Sequence, residues 1–292
     1  RVAIKKLGLV SGERVRDELF KCLAVSNFGS VAALLSEFGV LDELRLLTFG
    51  VDPAGLQNRQ GESETLTSLT RLSNMLEGAQ QVAHGVPEPD LKHWHTYQVM
   101  LDEPLQGGRK RRHLMLLGSI LIHIHPAFDA DKTNAADLLP DEFSEQIAQA
   151  LLIGQKEKTY FKAVSGGFLR LADLSGHQPG KLDYYRFFRA FGSYGLESAL
   201  LAMAEVQSQE PLLQFNPEIC REIFHTWFTE QARTVNPPRL VDGDLLQREL
   251  AMGPGVKIGT LLEEIREQQV LGKINTTAEA IAFAKENFER NA

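Results

Sequence analysis

Residues 239–286 read RLVDGDLLQRELAMGPGVKIGTLLEEIREQQVLGKINTTAEAIAFAKE, and this stretch carries the start and stop signals of three short helices. Its apolar residues recur at three- and four-residue intervals between residue types that cap or break helices. The boundary residues are the N-cap Asp242, the turn Gly253-Pro254-Gly255, the terminator Gly272 and the capping-box pair Thr276 and Glu279. The sequence therefore predicts a three-helix unit here, with its second helix starting at Val256.

The same helical periodicity runs through most of the chain, and no alternating strand pattern is followed by hairpin residues. This predicts an all-α protein. A polar loop at 51–63 and the helix-stopping Asn236-Pro237-Pro238 divide it into neck helices at 1–50, a helical body at 51–235 and the tail at 236–292. We predict helices at 12–25, 28–37, 64–84, 90–103, 109–124, 141–153, 156–172, 181–191, 194–206, 216–233, 242–250, 256–271 and 277–289.

Composition limits the functional classes. The 292 residues carry a net charge of −7, so any RNA binding must come from a local basic patch. The longest apolar run, Leu114 to Ile122, is about half of the roughly 20 residues that a membrane span needs. Cys22 and Cys220 match no metal-ligand spacing and are predicted to be free thiols in a reducing compartment, which indicates a cytoplasmic protein.

One candidate patch is the neck, where six Lys or Arg residues stand against three acids between Arg1 and Leu23. Ser11 is placed to cap a helix there, and the candidate phosphate contacts are Lys5, Lys6, Arg14 and Lys21. The alternative is a solvated helix with Arg14–Glu18 and Asp17–Lys21 pairs.

A second candidate patch is the run Arg109, Lys110, Arg111 and Arg112 at the predicted start of a helix. Cations at that end oppose the helix dipole, so local helix stability does not explain them. An RNA-facing patch and a solvated surface run remain equally open.

A third candidate is the turn before the second tail helix. Amides of Gly255, Val256, Lys257 and Ile258 would have no acceptor within the helix and could bind a phosphate, with Lys257 adding a charge. The alternative is a purely structural turn, with Gly259 allowing close packing.

The tail resembles the C-terminal domain of bacterial tRNA nucleotidyltransferases (CCA-adding enzymes) and poly(A) polymerases. That signature runs Leu-Val-x-Gly-x-Asp-Leu, then Pro-Gly-x-x-Ile-Gly, then Gly-x-Ile-x-Thr-x-x-Glu-Ala. Its positions here are Leu240, Val241, Gly243, Asp244 (one residue early), Leu245, Pro254, Gly255, Ile258, Gly259, Gly272, Ile274, Thr276 or Thr277, Glu279 and Ala280. The resemblance implies that the tail binds tRNA.

The neck resembles the last signature motif of the same family, through Ser11, Glu13, Arg14, Glu18 and Leu19 with Lys21 in the basic position. Further helices of the body resemble those enzymes at KLDYYRFFRAFGSYGLESALLAMAE, residues 181–205. There Arg186 and Arg189 are predicted to share one face, while Tyr185, Phe188 and Leu182 pack inward.

The middle of the body resembles the metal-dependent phosphohydrolase-like domain named for its His-Asp pair. His95 and His123 fall on its ligand positions, but Ile124 stands where the aspartate should be. Because two hard cations need an anionic oxygen ligand, we predict no metal at this degenerate site and no hydrolysis. One alternative is a new zinc site of His93, His95, His123 and His125.

The sequence contains none of the motifs of the family's catalytic head, including the paired aspartates that hold two magnesium ions. We therefore expect no catalytic residues and no cofactor in this chain, with magnesium and CTP or ATP bound only where a head is present. The start at Arg1, without methionine, indicates a fragment whose partners are tRNA and the missing head. The alternative is a stand-alone helical interaction or regulatory module of the same fold.

Overall fold

The computed structural model describes residues 7–25, 28–51, 62–77, 91–128, 137–206, 211–251 and 253–290. Within these ranges it has fourteen α-helices, and an isolated antiparallel bridge between Pro104 and Lys110 is the one β-type pairing. The prediction of an all-α fold is confirmed.

The helices are Gly12–Leu23 (α1), Phe28–Glu37 (α2), Val40–Phe49 (α3), Glu62–Leu76 (α4), Leu91–Leu101 (α5), Arg111–His123 (α6), Pro140–Leu151 (α7), Gln155–Ser175 (α8), Lys181–Phe191 (α9), Gly195–Glu205 (α10), Pro217–Thr229 (α11), Gly243–Leu250 (α12), Val256–Val270 (α13) and Thr277–Arg290 (α14). A turn of π-helix, Gln231–Val235, follows α11. Each predicted helix has a counterpart, although the predicted extension of α4 over 78–84 lies outside the described residues.

Helix α3 is missing from the sequence prediction. It lies between Gly39 and Gly50, which both adopt left-handed backbone conformations, and the first of these glycines reads as the end of a helical region. Its buried face contains Arg45 and Thr48 as well as leucines, so the apolar stripe that would have revealed the helix is interrupted.

The chain forms two compact units, and the first comprises 1–177 and 191–224. Helix α10 is buried on every side, because GLESALLAMAE combines small and apolar residues with few charges. Helix α8 approaches it closely at Gly167, where an added Cβ would lie 2.3 Å from Ser198 Oγ. That serine donates a hydrogen bond to the Val164 carbonyl of α8, so its hydroxyl is satisfied inside the core.

The second unit comprises 178–190 and 225–292. It therefore contains the predicted tail together with most of α9, a helix from the middle of the chain. The boundaries of neck, body and tail stay a prediction from the sequence, whereas packing divides the chain differently.

Caps predicted for the tail are formed. The Leu245 amide donates to Asp242 Oδ1 at 2.8 Å, and Gly272 adopts the left-handed conformation that ends α13. In the capping box, the Glu279 amide donates to Thr276 Oγ1 and the Thr276 amide donates to Glu279 Oε2. The three helices close on one apolar core of Val241, Leu246, Leu250, Ile258, Leu261, Ile265, Ile274, Ala280 and Ala284.

Over the described ranges, no helix combines the length and the apolar character that a membrane crossing requires.

Candidate nucleic-acid interface

The neck helix α1 buries Val15, Leu19 and Leu23 and leaves Arg14 and Lys21 exposed. The Lys21 ammonium is 2.9 Å from Glu18 Oε1, a pair three residues apart, and Arg14 has no ion-pair partner among the described residues. Lys5 and Lys6 lie outside those residues. Of the neck candidates, Arg14 thus presents its charge to solvent without competition.

Two local expectations for the neck were wrong. Ser11 precedes α1, but its side chain makes no capping hydrogen bond. Asp17 bonds to Arg16 at 2.9 Å instead of pairing with Lys21, and this bond holds the pKa of Asp17 below its usual value.

Arg16 had not been singled out, and it fastens the neck to the body. Its Nη1 donates to the Leu152 carbonyl at 2.7 Å, where α7 ends and the helix dipole is negative. Next to it, an added Cβ on Gly12 would lie 1.9 Å from the Ala150 carbonyl oxygen, so α1 and the end of α7 touch backbone to backbone.

The four basic side chains of the run 109–112 differ in how deeply they are buried. Arg111 is 3% exposed, and its guanidinium donates from Nε and Nη2 to both carboxylate oxygens of Glu197, at 2.7 and 2.9 Å. Burial disfavours its charge, but Glu197 outweighs this and raises the pKa of Arg111 above its usual value. Arg111 faces α10 in the interior and presents no charge to a solvent-side ligand.

Arg109 has a similar role nearer the surface. Its guanidinium donates hydrogen bonds to both carboxylate oxygens of Glu157, a residue with no exposed surface. The guanidinium carbon, Cζ, lies 5.4 Å from the centre of the Phe20 ring. The Glu157 carboxylate also accepts the Gly154 amide at 3.0 Å, at the start of α8. Arg109 therefore joins α1 and α8 as well as carrying charge.

Lys110 and Arg112 share Asp102, at 3.2 and 3.0 Å. Partial burial acts to raise the pKa of Asp102, but Arg112 and Lys110 outweigh it and hold that pKa below its usual value. Arg112 also donates to Gln98 Oε1 and to the Leu76 carbonyl. These contacts with residues outside α6 explain why cations stand at its start, where they oppose the helix dipole.

The two histidines at the degenerate metal positions lie in different surroundings. His95 is exposed, whereas His123 is buried with its Nδ1 donating to the Ser119 carbonyl at 2.7 Å and its Nε2 2.9 Å from Glu205 Oε1. Burial acts to raise the pKa of Glu205, but His123 outweighs it and the pKa is lowered. His123 of α6 and Glu205 of α10 thus form a buried polar pair.

His125 lies beyond the end of α6. Its Nδ1 accepts the Ala127 amide at 3.2 Å, and its ring meets Phe49 and Phe143 edge-on. Across the part of the chain that the structure describes, no three His, Cys, Asp or Glu side chains form a metal-ligating group. The loss of phosphohydrolase chemistry remains a prediction from Ile124.

The turn before α13 is open to solvent. An added Cβ on Gly253, Gly255 or Gly259 would meet no atom within 4 Å, and Val256 is 87% exposed. The suggestion that Gly259 serves close packing is therefore wrong. The Ile258 amide donates to the Gly255 carbonyl at 3.1 Å, so it is not free as we had expected.

Over the described residues, the amides of Val256 and Lys257 have no acceptor, and the Lys257 side chain is exposed beside them. A free pair of amides at the positive end of a fifteen-residue helix, with an ammonium group adjacent, is an arrangement that attracts anions.

Comparison with known proteins gives a distant similarity, and no protein-family model matches the chain. The CC-adding tRNA nucleotidyltransferase of Synechocystis sp. (strain ATCC 27184 / PCC 6803 / Kazusa) is 28% identical over 145 residues. The aligned stretch covers 50% of this chain and 33% of that enzyme, so the match spans about a third of the relative's length. Half of this all-helical chain is thus similar to part of a tRNA nucleotidyltransferase.

Proposed function

We propose that this chain is the tRNA-holding, C-terminal part of an enzyme of the tRNA nucleotidyltransferase and poly(A) polymerase family, and that the turn before α13 binds an RNA phosphate. The distant similarity to a CC-adding enzyme supports the family. In the tail, the three helices begin and end at the capping and turn residues of the stretch that resembles the family's signature, which supports the assignment of this unit to the RNA-binding domain.

One observation carries the phosphate site: glycines stand where folding does not require them. Gly255 has extended backbone with φ of 165°, which any residue can adopt, and open space surrounds Gly255 and Gly259. A ligand that approaches the backbone does require a surface without side chains. The turn therefore has the shape that a phosphate needs.

Other basic residues have secondary roles in this proposal. Arg14, with Lys21, would add long-range attraction for RNA, whereas Arg109, Arg111 and Arg112 mainly hold helices together. Magnesium and the nucleotide substrates, CTP or ATP, would be bound by a catalytic head that carries the paired carboxylates. The candidate degenerate body would have a structural role.

The test is Lys257→Glu. We expect weaker binding of a tRNA transcript, a salt dependence reduced by about one counterion, and an unchanged melting temperature, because Lys257 is exposed and outside the core. Affinity is measured by fluorescence anisotropy at several KCl concentrations.

Lys273→Glu is the matched control, since Lys273 is also exposed in the tail and the charge change is the same. Equal effects of the two substitutions would indicate only a general loss of charge. Unchanged affinity and salt slope in Lys257→Glu would show that the turn is structural.

A further inference from the structure

We propose that Arg186 and Arg189 of α9 form a second phosphate contact of the same RNA surface, held in position by Glu267 and Glu263 of α13. This inference rests on the proposed RNA-binding function and adds two residues from the middle of the chain to the tail site. Glu263 and Glu267 are positioning residues in this arrangement.

The guanidinium groups are held by one edge and open on the other. Arg186 donates from Nε and Nη2 to the two oxygens of Glu267, at 2.7 and 2.9 Å, and Arg189 donates from Nε to both oxygens of Glu263 at 3.2 Å. Within the described part of the chain, Nη1 of Arg186 and both Nη groups of Arg189 donate no hydrogen bond, although Asp183 is near enough to Arg186 to favour its charge. The two side chains are 53% and 57% exposed.

Glu263 is itself fixed from the interior. The Tyr185 hydroxyl donates to its Oε1 at 2.6 Å, and burial with this bond raises the pKa of Tyr185 to about 12. Tyr185, Phe187 and Phe188 are buried, so the backbone of α9 is anchored beneath the arginines. Preorganised guanidinium groups lose little freedom when they bind a further anion.

The turn before α13 and the two glutamates that hold the arginines lie on the same face of α13. Val256, Thr260, Glu263 and Glu267 recur at intervals of four, three and four residues, which places them on one side of a helix. From Val256 to Glu263 the rise is about 10 Å, a length that spans a few nucleotides of a strand. One RNA strand along this face would meet the free amides first and the arginines next.

The competing explanation is that these ion pairs only fasten α9 to α13. Exposed ion pairs contribute little net stability, so fastening alone is a weak reason for two of them. The two explanations differ in what the glutamate does: a fastener needs both partners equally, whereas a phosphate contact needs the arginine and is opposed by the carboxylate's charge.

The experiment compares Arg186→Gln, Arg189→Gln and Glu267→Gln in the full 292-residue chain, with a tRNA transcript as the probe. We expect each arginine variant to bind roughly fivefold more weakly, with a salt slope reduced by about one counterion. We expect Glu267→Gln to bind at least as tightly as the unmodified chain, with an unchanged slope, because the glutamine oxygen can still accept a hydrogen bond from Arg186 and hold it in place while the opposing charge is removed. Arg170→Gln is the control, because Arg170 forms a comparable exposed pair with Asp173 in the other unit.

Arginine variants with unchanged affinity and slope would overturn the proposal, as would equal losses in Arg186→Gln and Glu267→Gln. Either result leaves the turn before α13 untouched if Lys257→Glu still weakens binding. An unmodified chain that binds no tRNA would instead overturn the proposed function, and this inference with it.

Discussion

Among single residues, buried acids decide where the basic side chains point. Glu157 and Glu197 have no exposed surface, and each accepts two hydrogen bonds from an arginine of the 109–112 run. A buried carboxylate without a cation would be costly, so Arg109 and Arg111 are held by the fold. The charge that this run leaves towards solvent belongs to Lys110 and, in part, to Arg112, and Asp102 partly offsets both.

Glu197→Gln should destabilise the chain by about 3–5 kcal/mol, because the Arg111 guanidinium would stay buried without its counter-charge. Arg111→Met combined with Glu197→Leu should retain most of the stability, since no buried charge is left unpaired. The measurement is urea unfolding followed by circular dichroism. Glu18→Gln, which breaks the exposed pair with Lys21, serves as the control with a change within about 0.5 kcal/mol. A small effect of Glu197→Gln would show that the pair is dispensable.

Among the helices, glycines have opposite roles at the two ends of the chain. Gly12 brings α1 against the last turn of α7, where a side chain would collide with backbone. Gly259 lies in an exposed turn of α13 with open space around it. The first glycine is required by packing, and the second is not.

Gly12→Ala should cost about 1–3 kcal/mol, because α1 must move away from the Ala150 carbonyl. Gly259→Ala should instead stabilise the chain by about 0.5–1 kcal/mol, since alanine is the better helix former and meets no atom. Thermal melts of the two variants check both signs. Destabilisation by Gly259→Ala would mean that Gly259 has a packing role in α13 after all.

For the whole molecule, the two compact units do not follow the order of the chain. Residues 178–190 lie in the unit of the tail, although they are separated from it in sequence by residues of the other unit. A tail excised at 236 would lose the α9 side chains that contact Glu263 and Glu267.

The purified chain should incorporate neither CTP nor ATP into tRNA, with or without magnesium, because its sequence lacks the paired carboxylates that hold the catalytic metals. Radiolabelled nucleotide incorporation is the measurement. The same sample should be shown to bind tRNA, so that inactivity is not a folding failure. Turnover that survives repurification would contradict the expectation.

The sequence by itself determined the local structure. Caps and breakers such as Asp242, Gly272 and Thr276 act within one turn of the chain. Thirteen helices, including the three of the tail, could therefore be predicted. Helix α3 could not, because its buried face includes Arg45 and Thr48, whose burial depends on residues far away in sequence. The open space at Gly259 could not be predicted either, because it depends on which helices pack nearby.

Only the tertiary structure decided which basic side chains are buried in ion pairs and which are exposed to solvent. Arg111 meets Glu197 across 86 residues and Arg186 meets Glu267 across 81, and no local pattern announces either partner. Helix propensity and capping depend on neighbours within a turn, whereas the exposure of a charge depends on which helix packs against it. For this reason the basic run at 109–112 was predicted as a candidate surface, and the glutamate partners of Arg186 and Arg189, two arginines that the sequence places on one face, were found only in the folded chain.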